Sequence, residues 1–133
     1  MVWFAAPALA LTCGGGSHII TLSSGGVSPG AGTTATNFTF TVTFTDSLDR
    51  DPSWVRLRYN GTSYPMTGSG SGTVYSLTTT MPLGTTDFSF RARSSTGGIV
   101  CRDAEPGSVT VTAVPERLTV DTGDGGDDGG RET

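Results

Sequence analysis

Alternation of apolar and polar residues is clearest between residues 38 and 45, where every second position is a threonine. A period of two is typical of a β-strand with one buried face. The same alternation recurs over residues 54–59 and 87–93. The predicted inward-facing side chains of these three strands are Phe38, Phe40, Val42, Phe44, Val55, Leu57, Tyr59, Phe88, Phe90 and Ala92.

Further short strands are predicted between these three, each bounded by Gly, Pro, Ser or Asn. They cover residues 18–22, 63–67, 73–80, 98–102 and 108–113. Asn60-Gly61 predicts a tight hairpin, because both residues tolerate the positive φ of a type I′ turn. No helical period occurs in the chain. The pattern therefore predicts an all-β fold, an antiparallel sandwich of seven to eight short strands.

The apolar stretch at residues 2–11 is too short to cross a bilayer, which takes about 20 residues, and has the length of a signal-peptide core. The alternative for this stretch is an ordinary buried apolar strand. The stretch precedes Cys13 and the run Gly14-Gly15-Gly16. We therefore predict an export signal with a Gly-rich tether at 1–16, one folded domain at 17–114, and an acidic Gly-rich tail or linker at 115–133.

Cys13 has two alternative interpretations. The segment before it resembles the end of a bacterial lipoprotein signal, in which the cysteine is lipidated, although Thr12 and Ala10 depart from that pattern. The chain's second cysteine, Cys101, offers a disulfide instead, as expected in an oxidising compartment. The two interpretations exclude each other, and both place the protein outside the cytoplasm, secreted or at the cell surface.

The central part of the chain resembles the immunoglobulin-like and fibronectin-type modules of bacterial and archaeal surface proteins. The resemblance spans about residues 25–113. It is carried by Val27-Ser28-Pro29, Gly32-Thr33-Thr34, the alternating run at 38–46, residues 60–66, Leu83-Gly84-Thr85-Thr86 and residues 88–92. It implies an immunoglobulin-like sandwich acting as a spacer, stalk or ligand-presenting unit. Such sandwiches host many functions.

The net charge and the distribution of the basic residues argue against one class of partner, nucleic acid. The net charge is −4, the pI is about 4.6, and the eight basic residues, all Arg, are scattered along the sequence. Nucleic-acid binding requires a basic face, so we predict no nucleic-acid partner. Contact with a membrane is expected only through a lipid anchor.

Three carboxylates, Asp46, Asp49 and Asp51, lie in one loop between two predicted strands. Ca²⁺ takes six to eight oxygen ligands, so a calcium site would require convergence with Asp103 and its neighbour Glu105. The alternative is an acidic turn exposed to solvent. A second acidic run, at residues 121–128, fits no calcium-loop register and is expected to be a disordered tail or linker.

Trp54 is predicted to lie on the face opposite Val55 and Leu57, flanked by Arg56 and Arg58. An exposed aromatic ring is a stacking platform for sugars, so these three residues are the candidate ligand-binding site. The sequence offers no convincing catalytic group: its single histidine, His18, lies close to the predicted export signal.

The leading hypothesis is a non-catalytic extracytoplasmic module, a surface-anchored spacer or interaction domain whose partner is the cell envelope or another surface protein. One alternative is a self-assembling fibre subunit that inserts a strand around residues 18–22 into a neighbour's sheet. The other is a glycan- or calcium-binding module. No other cofactor is expected.

Overall fold

The computed structural model describes residues 10–115. Over that range the chain forms nine β-strands and no helix, so no helix among these residues is long and apolar enough to cross a membrane. The strands are β1 (Leu11–Gly15), β2 (His18–Ser28), β3 (Ala31–Thr33), β4 (Phe38–Asp46), β5 (Pro52–Tyr59), β6 (Thr62–Pro65), β7 (Thr73–Thr79), β8 (Gly84–Ser94) and β9 (Val100–Thr112).

The strands form two sheets. The four-stranded sheet has the order β1-β2-β4-β7, and the five-stranded sheet has the order β3-β9-β8-β5-β6. Every pair is antiparallel except β3 with β9, which is parallel. The all-β prediction is confirmed, whereas the five-stranded sheet is mixed and not purely antiparallel.

One hydrophobic core lies between the two sheets. It is built from the alternate residues of each strand that point inward. In β4 the four apolar residues are fully buried, while the threonines between them are at least partly exposed. Phe40 from this strand meets Phe88 of the other sheet edge-to-face, with ring centroids 5.1 Å apart. Full burial of such a side chain contributes about 1.5 to 3 kcal/mol before chain entropy is subtracted.

The predicted Asn60-Gly61 hairpin is confirmed. These two residues join β5 to β6 with φ values of 51° and 76°. Positive φ at both positions is what a type I′ turn requires and what Asn and Gly tolerate.

The number of strands differs from the expected seven to eight. The predicted segments 98–102 and 108–113 form one long strand, β9, because register shifts opposite β8 let the chain continue without a turn. Two strands, β1 and β3, were not predicted. β1 includes Gly14 and Gly15, so the first part of the predicted tether is an edge strand of the four-stranded sheet. The rest of the predicted export signal, residues 1–9, and nearly all of the predicted tail lie outside the described residues.

Candidate functional site

The outer face of the five-stranded sheet carries the candidate ligand-binding residues. Within β5, Val55 and Leu57 are buried, and the alternate positions Trp54, Arg56 and Arg58 are partly exposed. The predicted sidedness of β5 is therefore correct at these positions. The Arg56 guanidinium carbon lies 4.0 Å from the centroid of the Trp54 ring, which is a cation–π contact.

Neighbouring strands add three more arginines to this face. In β8, Arg93 is opposite Trp54 and Arg91 is opposite Arg56. In β9, Arg102 follows the buried Cys101 and is exposed. Sequence reasoning treated the arginines as scattered, because their clustering depends on β5 and β8 being hydrogen-bonded neighbours. We call the set Trp54, Arg56, Arg58, Arg91, Arg93 and Arg102 the arginine face.

Two carboxylates share this side of the sheet. Asp103 lies 3.7 Å from an Arg91 guanidinium nitrogen and accepts a hydrogen bond of 3.3 Å from the Ser89 hydroxyl. Asp87 is exposed on β8 and lies nearer the Asn60-Gly61 hairpin. Five guanidinium groups against two carboxylates leave a surplus of three positive charges on this side of the sheet.

A depression of about 340 Å³ lies at the hairpin end of the arginine face. Its walls include Arg58, Tyr59, Asn60, Asp87 and Asp103. Both carboxylates of this side therefore line it, and the positive charge is concentrated on the side of Arg56, Arg91 and Arg93.

Tyr59 stacks on Tyr64 of the neighbouring strand β6, with ring centroids 4.6 Å apart and planes 15° from parallel. Partial burial and, to a smaller extent, the neighbouring Tyr64 side chain together raise the pKa of Tyr59 to about 12. The phenol therefore stays neutral throughout the physiological range.

The four aspartates proposed for calcium do not converge. Asp46 is buried and accepts hydrogen bonds from His18 Nε2 at 3.0 Å and from the Leu48 backbone N–H at 2.7 Å. Asp103 lies on the outer face of the other sheet, beside Arg91. No group of three or more His, Cys, Asp or Glu within residues 10–115 is arranged to hold a metal ion.

Asp46 instead organises the end of β4. Besides binding His18 and Leu48, it donates its backbone N–H to the Ser71 hydroxyl at 2.7 Å. Its second carboxylate oxygen, Oδ2, is buried without a hydrogen-bond partner. Asp49 is exposed with a φ of 57°, which Asp tolerates better than most residues.

Cys13 and Cys101 form a disulfide, with Cα atoms 5.6 Å apart. A sulfur atom in this bond cannot also carry a thioether-linked lipid. Of the two sequence interpretations, the structure has the disulfide, and the lipidation of Cys13 is not compatible with it. The bond joins β1 of the four-stranded sheet to β9 of the five-stranded sheet.

Comparison with known proteins adds no family assignment. The sequence matches no protein-family model, and no curated protein matches it.

Proposed function

We propose that the chain is a non-catalytic immunoglobulin-like module that works outside the cytoplasm, secreted or at the cell surface, as a spacer or interaction domain. The observation that carries this proposal is the Cys13–Cys101 disulfide between the two sheets. Structural disulfides persist in oxidising compartments and are rare in the cytosol.

The immunoglobulin-like assignment rests on architecture. Two sheets enclose a single core, and the cysteine bridge runs from one sheet to the other. Inter-sheet bridges of this kind stabilise small exported sandwiches. The topology departs from an all-antiparallel sandwich at β3, which pairs in parallel with the last strand.

A binding role is favoured over catalysis by where the polar groups lie. The single histidine of the chain, His18, is hydrogen-bonded to the buried Asp46. This pair links the neighbouring strands β2 and β4. The arginine face, by contrast, has Arg93 and Arg102 exposed to solvent and Arg56, Arg58 and Arg91 partly exposed. This face also supports the glycan-binding alternative, for which Trp54, Arg56 and Arg58 are the candidate residues.

The fibre alternative receives less support. The strand that would be donated to a neighbour, around residues 18–22, belongs to β2, which is hydrogen-bonded on both sides within its own chain, to β1 and β4. Donation would require that strand to leave an interior position of its own sheet.

The test is the compartment and oxidation state of the chain in its native host. Cells are fractionated, free thiols are alkylated before and after reduction, and the intact mass is measured. We expect the chain in the extracytoplasmic fraction, with both cysteines alkylated only after reduction. Recovery from the cytoplasm with two free thiols would contradict the proposal. A diacylglycerol adduct on Cys13 would replace the disulfide interpretation with a lipoprotein anchor.

A further inference from the structure

The arginine face carries a positive surplus within a domain whose formal charges sum to zero, and the remainder of the domain carries the matching negative charge. Residues 10–115 contain six Arg and six Asp or Glu, so their net formal charge is zero, and the chain's charge of −4 comes from residues 116–133. Five of those six arginines lie on one side of the five-stranded sheet. The chain is therefore net negative as a whole but has a basic surface on one side of this sheet.

This arrangement costs stability in the absence of a ligand. Arg56 and Arg91 stand directly opposite each other on adjacent strands, and like charges in that position destabilise a sheet. Arg91 is mostly buried, its Nε has no hydrogen-bond partner, and its nearest carboxylate oxygen, on Asp103, is 3.7 Å away. A bound anion would neutralise the repulsion between these guanidinium groups.

The composition of the face argues against a protein partner. Protein interfaces derive most of their binding energy from apolar and aromatic anchors that fill pockets. The large hydrophobic side chains exposed within residues 10–115 are Leu48, Val74, Leu83 and Val114, and all four lie outside β5, β8 and β9. The only aromatic ring among the arginines, that of Trp54, is covered on one side by Arg56.

The spacing of the arginines suits a ligand with repeated charges. Their backbone positions are about 5 Å apart across strands and about 7 Å apart along a strand. Each guanidinium is a planar fork that binds a carboxylate or sulfate through two parallel hydrogen bonds. A linear polymer with an acidic group on each unit can engage several of these forks at once without any deep pocket.

We propose that the arginine face binds an anionic polysaccharide, carboxylated or sulfated, chiefly through Arg56, Arg91, Arg93 and Arg102. The proposal rests on the extracytoplasmic interaction role proposed above and names the chemical class of the partner. Asp87 and Asp103 line the depression beside Arg58 and reduce its expected contribution, and Asp103 offsets part of the charge of Arg91 in the same way.

The test is binding of the full chain to immobilised polysaccharides. Alginate serves as the carboxylated probe, heparin as the sulfated probe and dextran as the neutral one. We expect binding to alginate or heparin that weakens as salt is raised, because salt screens exposed charges, and no binding to dextran. The probe that binds more tightly distinguishes carboxylate from sulfate as the acidic group.

Matched variants locate the site. The double change Arg56→Gln and Arg91→Gln should weaken binding about tenfold or more, as expected for the loss of charge-assisted hydrogen bonds. Arg50→Gln is the control, because Arg50 lies outside this face and its guanidinium binds the Thr96 hydroxyl. Arg56→Lys keeps the charge and removes the fork, so an intermediate affinity is expected.

Folding of the variants is checked by the melting temperature. In the double variant it should stay close to that of the parent, because removal of the like-charge pair offsets loss of the Arg56 contact with Trp54. Equal affinity of the parent, the double variant and Arg50→Gln would overturn the proposal. So would binding to polyglutamate or duplex DNA as tight as to both polysaccharides, or no binding to either polysaccharide at low salt. An exported, oxidised chain that fails these binding tests overturns this inference alone and leaves the proposed extracytoplasmic role standing.

Discussion

The Glu105 carboxylate lies in the core and accepts a hydrogen bond of 2.9 Å from the backbone N–H of Gly25, 80 residues earlier in the chain. Gly25 lies at a register shift in β2, between Ser23 and Gly26. Glu105 itself has a φ of 49° within β9. The contact thus joins irregularities in strands of opposite sheets.

Strands β2 and β9 approach so closely at Gly25 that this position has no room for a side chain. A Cβ atom there would lie 2.6 Å from Glu105 Cβ and 2.8 Å from a ring carbon of Phe90. Gly25→Ala should therefore lower the free energy of unfolding by about 1 to 3 kcal/mol, the usual cost of overpacking a core.

The neighbouring glycine provides the control for this prediction. A Cβ atom at Gly26 would have no atom within 4 Å outside its chain neighbours, so Gly26→Ala should change stability by less than about 0.5 kcal/mol. Urea unfolding of the two variants and the parent measures the difference. Equal stability of the two variants would show that Glu105 and Phe90 yield to the added methyl group.

Strand alternation was sufficient to predict most of the fold. The buried apolar residues of β4 and β8, and Val55 and Leu57 of β5, were identified from a period of two, and the Asn60-Gly61 turn from its residue types. The short strand β3 was missed because three residues cannot display a period. β1 was missed because glycines have low strand propensity, and its pairing with β2 is a tertiary effect.

The candidate site was only partly predictable, for a different reason. The sequence shows which face of a strand a residue occupies, and this placed Trp54, Arg56 and Arg58 together. It does not show which strands are neighbours in the sheet. Arg91 comes within reach of Arg56 only through the pairing of β5 with β8. For the same reason, the sequence could not show whether Asp46 and Asp103 converge as a calcium site would require: Asp46 is buried at the end of β4, and Asp103 lies beside Arg91 on the outer face of the other sheet.

Loss of the disulfide should lower the free energy of unfolding, because the bond closes a long loop. Cys13 and Cys101 are 88 residues apart, and a bridge of that span restricts the unfolded chain by an amount worth about 2 to 5 kcal/mol. Reduction of the parent should lower the urea midpoint accordingly. Cys101→Ser, in which no bridge can form, should show a similarly low midpoint with no response to reductant. An equal midpoint for oxidised and reduced parent would contradict this role of the bridge.

Asp46 is predicted to be a structural residue and not a calcium ligand. Asp46→Ala removes the acceptor for His18 and for the Leu48 N–H, so it should lower the free energy of unfolding by about 1 to 3 kcal/mol. Asp49→Asn, at an exposed position with positive φ, should have little effect because Asn also tolerates that conformation.

Calcium should not change the stability of the parent chain. A ligand specific for the folded state raises the melting temperature. Within residues 10–115, no three His, Cys, Asp or Glu side chains are grouped so that they could hold a metal ion. We expect the melting temperature to be the same in millimolar Ca²⁺ and in a chelator. A rise that disappears in Asp46→Ala would show that the loop after β4 binds the ion after all.

Stability at alkaline pH is predicted to depend on Tyr59. Its pKa is raised from 10.0 to about 12 by burial and by the Tyr64 hydrogen bond. A group whose pKa is higher in the folded state contributes stability that is fully present below the unfolded pKa and is lost as pH rises through the folded one. The free energy of unfolding should therefore fall between about pH 10 and pH 12.

The chain is well suited to this measurement. It contains no lysine, its cysteines are paired, and arginine stays protonated below about pH 12, so tyrosines are the side chains that titrate in this window. Tyr59→Phe should reduce the loss of stability between pH 10 and pH 12. Part of the loss should remain, because burial also raises the pKa of Tyr75. Urea unfolding at several pH values, with tyrosinate absorbance followed in parallel, measures both effects, and an unchanged pH profile in Tyr59→Phe would contradict the prediction.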